Sequence, residues 1–161
     1  MPKMDKELFL SSFKEYSRYV YNYIYYRTGN NKEIAEDLTQ ETYVRAWKYR
    51  LSYNPKKSGL KVWLISIARN TCTDYYKKKR ESLELDENLL PAAVDSADEN
   101  RMDVEFILRK LNFREKEIMR LRYKYDLKIS EIGTIMNENP NNLKVEIHRI
   151  IQRLKQIFNN D

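Results

Sequence analysis

GLKVWLISIARNTCTDYYKKKR, the stretch from Gly59 to Arg80, changes character halfway along. Its first half, Val62 to Ala68, is apolar on nearly every side apart from Ser66. A helix of that kind has to be enclosed by neighbours rather than laid on a surface. In the second half Arg69, Asn70, Thr73 and Asp74 lead into Tyr75, Tyr76 and the run Lys77 to Arg80. At about 1.5 Å of rise per residue the whole stretch is roughly 33 Å long as a helix. One helix therefore begins inside a core and ends as a polar, aromatic, cationic surface. Asn, Thr and Tyr hydrogen-bond to or stack on bases, and Lys and Arg meet phosphates. The helix reads as a core strut that carries a nucleic-acid contact.

The rest of the composition agrees with a helical frame. The 161 residues include three glycines and four prolines, and no long stretch alternates apolar with polar residues, which favours an all-α fold. The length suits one ordinary domain or two small ones. No segment approaches the ~18 uninterrupted apolar residues of a membrane span, so no membrane insertion is expected. The opening MPKMDKELFL has neither the apolar core nor the cleavage site of a secretory signal. The single cysteine, Cys72, has no internal disulfide partner, and a reduced, cytoplasmic setting is expected.

The net charge of +6 conceals a pattern. Residues 1–80 hold 17 Lys and Arg against 8 Asp and Glu, residues 81–105 hold 1 against 9, and residues 106–161 hold 12 against 7. Two basic blocks flanking an acidic segment suit two nucleic-acid-binding modules joined by a linker that repels the polyanion.

Before the central stretch, Asp5 to Arg27 reads as a helix whose Leu8, Phe9, Ser12, Tyr16, Tyr19, Val20, Tyr23 and Ile24 share one broad face. Eleven of the 13 tyrosines lie before residue 77, and at helical spacing they read first as core and rim packing. Gly29 suits a left-handed cap, and an Asn follows to start the next helix. That helix, from Asn31 or Lys32 to Tyr49, has Ile34, Ala35, Leu38, Thr42, Ala46 and Trp47 on its apolar face. Its other side displays Glu33, Asp37, Gln40, Glu41 and Val44, with Arg45 four residues beyond Glu41. A salt-bridged solvated surface and an acidic docking face for a basic partner helix are both open readings. Arg50 to Ser58 is a loop that carries Arg50, Tyr53, Lys56 and Lys57.

Beyond it, Glu81 to Asn100 has the composition of an acidic linker, interrupted by Pro91. Helical periodicity resumes at Asp103, with Val104, Phe106, Ile107, Leu108 and Leu111 on a short helix. Phe113 to Tyr123 and Leu127 to Met136 form two more, the first turning Ile118, Met119 and Leu121 inward. After a turn at Asn137 to Asn139, Asn139 is positioned as an N-cap with Pro140 at the first helical position. The last helix reaches about Phe158, with Leu143, Ile147, Ile150, Ile151, Leu154 and Ile157 inward. This is a helix-turn-helix outline, in which the N-terminal half of the final helix enters the major groove. Its outward residues are Asn141, Asn142, Lys144, Val145, His148 and Arg149. Asn reads adenine, Lys and Arg read guanine, and an exposed Val meets a thymine methyl. Glu146 either accepts from cytosine or repels phosphate. His148 is the only histidine, and without a ligand set around it a DNA contact is expected rather than a metal.

No phosphate-cradling glycine loop, paired Cys motif or nucleophile elbow occurs; no cofactor, small-molecule substrate or enzymatic activity is expected. A repressor or activator that binds duplex DNA through residues 113–158 is an alternative reading.

Longer strings add a family. Asp37-Leu38-Thr39-Gln40-Glu41-Thr42-Tyr43-Val44-Arg45-Ala46-Trp47 resembles the D-x-x-Q-E-x-F/Y-x-x-A/V-W signature of sigma-factor region 2. Val62-Trp63-Leu64-Ile65-Ser66-Ile67-Ala68-Arg69-Asn70 with Asp74-Tyr75 resembles the run that continues it. Ile129-Ser130-Glu131-Ile132-Gly133 and Leu143-Lys144 through His148-Arg149 resemble region 4. Size and layout are similar to those of the extracytoplasmic-function (ECF) sigma factors of the sigma-70 family, which keep only these two regions.

The resemblance implies a region 2 helical bundle over 1–80, an acidic linker over 81–102 in the RNA-exit region of polymerase, and a region 4 helix-turn-helix over 103–161. It implies an alternative sigma factor, with bacterial core RNA polymerase and promoter DNA as partners and an anti-sigma factor as inhibitor. Asp37, Gln40, Glu41 and Val44 would dock the clamp coiled coil of the largest polymerase subunits. The loop carrying Arg50, Tyr53, Lys56 and Lys57, with Arg69, Asn70, Thr73, Asp74 and Lys77, would bind the minus-ten element and hold its non-template strand open. Asn141, Asn142, Lys144, Val145, His148 and Arg149 would read the minus-thirty-five element. Three positions depart from the pattern: Asn141-Asn142 replace a usual Gly-Thr, Glu146 replaces a common Arg or Lys, and Gly133 replaces a commoner Ala.

Overall fold

The computed structural model describes residues 4–83, 106–107 and 109–160. Most of the expected linker, and Val104 and Leu108 of the expected short helix, lie outside them. The described residues are helical throughout, without a strand, and the chain divides into two compact units.

In the first unit three helices pack pairwise against one another: α1 (Lys6–Arg27), α2 (Lys32–Lys48) and α3 (Leu60–Leu83). The Asp5 carboxylate starts α1 by accepting from the Leu8 N–H at 2.8 Å. Its end is built by Gly29 and Asn30, at φ +65° and +61°, with the Asn30 N–H donating to the Tyr25 carbonyl at 2.9 Å. Asn31 then caps α2 by accepting from the Ile34 N–H at 3.1 Å. Val20, Ile24, Ala35, Ala46, Val62, Leu64, Ile65 and Ala68 are buried between the three helices. Polar residues inside satisfy themselves locally: the Thr42 hydroxyl donates to the Leu38 carbonyl at 2.7 Å, and Thr71 to Ile67 at 2.9 Å.

The central helix departs from expectation in two ways. Its first half is less enclosed than an all-round apolar pattern implies, since Trp63 and Ile67 are half-buried. Its second half is more enclosed. Thr71 and Cys72 are buried, and the half-buried Tyr76 donates its hydroxyl to the Arg27 carbonyl at 3.0 Å. The physical reason is that one face of α3 stays against its neighbours well beyond Ala68, so burial follows a face rather than a half. The helix also runs on to Leu83, past the expected linker boundary at residue 81.

In the second unit Phe106 and Ile107 are helical, and Phe106 lies edge-on to Phe158 at 6.5 Å. Helix α4 (Phe113–Met119) opens on a capping box. Asn112 accepts from the Glu115 N–H at 2.9 Å, and Glu115 accepts from the Asn112 N–H at 3.0 Å. The expected single helix to Tyr123 widens over Arg120–Lys124 into a turn whose Tyr125 N–H reaches the Arg120 carbonyl at 3.0 Å. Asp126, at φ +53°, then reverses the chain and delivers Leu127 to the core at 3% exposure. Helix α5 (Ile129–Met136) and helix α6 (Pro140–Asn159) complete the helix-turn-helix. Asn137 holds the turn at φ +54°. Asn139 caps α6 by accepting from the Asn141 N–H at 2.8 Å, with Pro140 following as expected. Ile118, Leu121, Ile132, Leu143 and Ile150 form the buried centre.

Gly133 explains its own departure from the family pattern. A Cβ there would lie 2.8 Å from the Glu138 carbonyl oxygen and 3.2 Å from Pro140 Cγ. The same backbone pair is bonded, Glu138 N–H to the Gly133 carbonyl, at 2.9 Å. The turn therefore passes too close to α5 for a side chain. Gly133→Ala should gain ~1 kcal/mol of helix propensity but lose more to displaced backbone, for a net destabilisation of about 1–2 kcal/mol. A denaturant titration following the second unit checks this; a rise in midpoint would contradict it.

Candidate polymerase and nucleic-acid interfaces

Helix α2 buries Ala35, Leu38, Thr42, Tyr43 and Ala46, so its helical period turns Asp37, Gln40, Glu41 and Val44 to solvent, as expected. Val44 is 67% exposed, an apolar side chain in the middle of an acidic surface. Behind it stands an aromatic cluster. Phe9 lies edge-on to Trp47 at 5.0 Å, and Phe13 to Tyr43 at 4.8 Å. Tyr43, which the sequence reading left off the apolar face, is buried. Its hydroxyl has no partner among the described residues, and burial pushes its ionisation well above the usual tyrosine range. Trp47, expected inward, sits at the rim.

Arg45 joins this face to α3. One guanidinium nitrogen donates to Glu41 at 2.5 Å and the other to Asp74 at 2.6 Å. These partners, Asp74 first, raise the arginine's pKa. Asp74, expected among nucleic-acid contacts, is thus engaged by a residue 29 positions away. It marks the edge where the acidic face of α2 meets the outer face of α3.

On that outer face Trp63, Asn70 and Lys77 recur at seven-residue intervals and so share one stripe. Thr73 lies beside them, exposed, its hydroxyl donating to the Arg69 carbonyl at 2.9 Å. Arg69 is half-buried. Tyr53 packs on Trp63 at 5.2 Å, which places the 50–58 loop at one end of the stripe. Within the loop, Arg50 is committed inward: its guanidinium stacks over the Trp47 ring at 4.0 Å and donates to the Trp47 carbonyl at 2.9 Å. Lys56 and Lys57 are exposed on a turn held by Asn54, which accepts from the Lys56 N–H at 3.0 Å. Trp63 is the aromatic that the sequence reading missed as a surface group. Its partner Tyr53, ten residues earlier, gave no periodic signal.

In the second unit, Leu143, Ile147 and Ile150 anchor α6, and Asn141, Asn142, Lys144, Val145, His148 and Arg149 are all exposed. Val145 is 49% exposed. Glu146 is not left facing a groove. It is held by Arg114 at 2.9 Å, and the same guanidinium holds Glu138 at 2.6 Å. A second tie joins Arg153 of α6 to Glu115 of α4 at 2.7 Å, holding the Glu115 carboxyl below its usual range. Among the described residues no group of His, Cys, Asp or Glu is arranged to hold a metal ion, and no helix is long and apolar enough to cross a membrane.

Known proteins converge on one family. Residues 13–82 match the Sigma-70 region 2 family, and residues 101–154 match Sigma-70, region 4. The chain is 32% identical to ECF RNA polymerase sigma factor BldN of Streptomyces coelicolor over 158 residues, spanning 92% of this chain and 60% of that protein. It is 30% identical to ECF RNA polymerase sigma factor SigM of Bacillus subtilis over 154 residues, spanning 91% of this chain and 93% of that protein. Among solved structures, the sigma factor RpoE of Bartonella quintana, in complex with the anti-sigma factor NepR, superposes with a TM-score of 0.76 at 19% identity, covering 95% of this chain and 98% of that one. CnrH, in complex with the cytosolic domain of CnrY, does so with a TM-score of 0.65 at 18% identity, covering 98% and 91%; at these identities the likeness shows the fold. With both regions matched in order and a relative covered almost end to end, the chain belongs to the ECF sigma factors of the sigma-70 family, the RNA polymerase subunits that direct promoter-specific transcription initiation.

Proposed function

We propose that this chain is a dissociable alternative sigma factor whose first unit, residues 1–80, grips core RNA polymerase and the parted minus-ten strand, and whose second, residues 103–161, grips duplex DNA at minus-thirty-five. The observation that carries the reading is the exposed face of α2. Asp37, Gln40, Glu41 and Val44 are turned away from a helix that already has its core, and such a mixed acidic and apolar surface fits a basic partner helix. The Glu41–Arg45–Asp74 chain makes this face continuous with the α3 stripe. The residues that hold polymerase therefore adjoin those that hold opened DNA.

At minus-ten, Trp63, Asn70, Thr73 and Lys77, with Tyr53, Lys56 and Lys57 beside them, offer stacking, base-edge hydrogen bonds and phosphate contacts. Melting means trapping an unstacked base, which costs on the order of a few kcal/mol that such contacts must offset. Arg50, Arg69 and Asp74 act more as props of this surface, Arg50 through Trp47 and Asp74 through Arg45. At minus-thirty-five, Arg149→Ala is expected to lose about 1–3 kcal/mol at one promoter position, measured by holoenzyme binding to a panel of single-base variants. A uniform loss across the panel would make Arg149 a phosphate contact instead.

The absence of any chemistry in these roles makes the chain a binding subunit rather than an enzyme, acting in the cytoplasm where polymerase is. Complexes of RpoE with NepR and of CnrH with CnrY support an anti-sigma factor as inhibitor here, covering the same faces. Run-off transcription with reconstituted holoenzyme on a fragmented genome, with start sites mapped, tests the reading. Discrete starts that need the chain are expected. Tight binding to free duplex without any promoter-specific transcript would favour an independent duplex-binding regulator.

A further inference from the structure

The Arg114 cluster assigns a role to a residue outside the groove-facing set. Its guanidinium donates to both Glu138 oxygens at 2.6 Å, and to Glu146 from Nε at 3.0 Å and from Nη2 at 2.9 Å. Four of the five guanidinium N–H donors are thus used, on a side chain 44% exposed. Glu146 lies four residues after Asn142 and three before Arg149 on α6, so it flanks two residues of the reading face. In sequence, this carboxylate is an anomaly on a helix that approaches a polyanion.

We propose that Arg114 is a positioning residue for minus-thirty-five recognition: by occupying the Glu146 carboxylate it keeps Arg149 available to DNA and keeps an uncompensated negative charge off the groove. The inference rests on α6 being the reading helix. Without Arg114, Glu146 is released to its own helical neighbour. A Glu paired with an Arg three positions on is a favourable geometry, and it would draw the Arg149 guanidinium back along the helix. The freed carboxylate would also face phosphate across a surface where charges still interact. Glu138 anchors the other side of the guanidinium to the turn before α6, which fixes where the clamp sits relative to the helix start.

Arg114→Gln keeps reach and hydrogen-bonding capacity while removing the charge. The readout is the ratio of holoenzyme affinities for a promoter with its own minus-thirty-five element and with that element scrambled. Affinity for core polymerase and thermal unfolding are followed in parallel. Arg114→Gln should lower the ratio about tenfold, the scale of one charge term near a surface. Glu146→Gln alone should leave it within about twofold, and Arg114→Gln with Glu146→Gln should return it to near the wild-type value. The double variant restores no tie that Arg114 made, so a loss caused only by weakened packing would persist in it. An unchanged ratio in Arg114→Gln, or a double variant as poor as the single, overturns the proposal. A wild-type ratio of one would overturn the assignment of α6 as the reading helix, and this inference with it.

Discussion

Reversing the charge of Glu41, as Glu41→Lys, is expected to abolish association with core RNA polymerase while leaving the first unit folded. Glu41 is on the exposed side of α2, its side chain 45% accessible, and its bonded partner is Arg45. Losing one exposed pair costs about 0–1 kcal/mol, and Arg45 keeps Asp74 at 2.6 Å, so the bundle should survive. At the interface the change is larger. A lysine beside Arg45 turns an acidic docking face basic, and a like-charge juxtaposition with a basic partner costs several kcal/mol. A loss of roughly a hundredfold or more in affinity follows from that scale. Titration of labelled core enzyme with wild-type and variant chain, beside their unfolding curves, checks both halves. Unchanged affinity would remove α2 from the interface.

Leu64→Ala should have the largest effect on folding. Leu64 is fully buried on α3, between α1 and α2. Truncating such a side chain costs about 2–5 kcal/mol, a large part of the ~5–15 kcal/mol that holds a domain together. Because the helix that carries Leu64 also carries Asn70, Thr73 and Lys77, the first unit should lose its minus-ten surface as it loses stability. The expected result is a lower denaturant midpoint with an unchanged slope. A shift below ~1 kcal/mol would mean that α3 is not enclosed as described.

Much of this architecture is legible in the residues themselves. The spacing of Leu38, Thr42 and Ala46 gives the face of α2, and Asn139-Pro140 gives the start of α6. Gly29 gives the end of α1, because local propensities and helical period act over a few residues. What escapes is what depends on distant partners. Asp74 reads as one more polar group on a cationic helix until Arg45, 29 residues earlier, is found bonded to it. Glu146 reads as a base contact or a repulsion until Arg114, 32 residues earlier, takes its carboxylate. Gly133 reads as an unexplained variant until the Glu138 carbonyl is seen lying where its side chain would go. The enclosed length of α3 is missed for the same reason: an apolar count cannot tell that Thr71 and Cys72 face neighbours while Trp63 faces partly outward. The widening at Arg120–Lys124 is likewise set by the need to bring Leu127 into the core, not by any breaker residue.

Permanganate footprinting of the non-template strand, at a promoter mapped by run-off transcription, tests most directly whether the two units act as one polymerase-bound guide. With core enzyme and this chain together, thymines near minus-ten should become reactive while the duplex at minus-thirty-five stays protected from nuclease. Neither component alone should produce either effect. Strand opening by core enzyme without the chain, or full minus-thirty-five protection by the chain without core enzyme and no opening when both are present, would contradict the account.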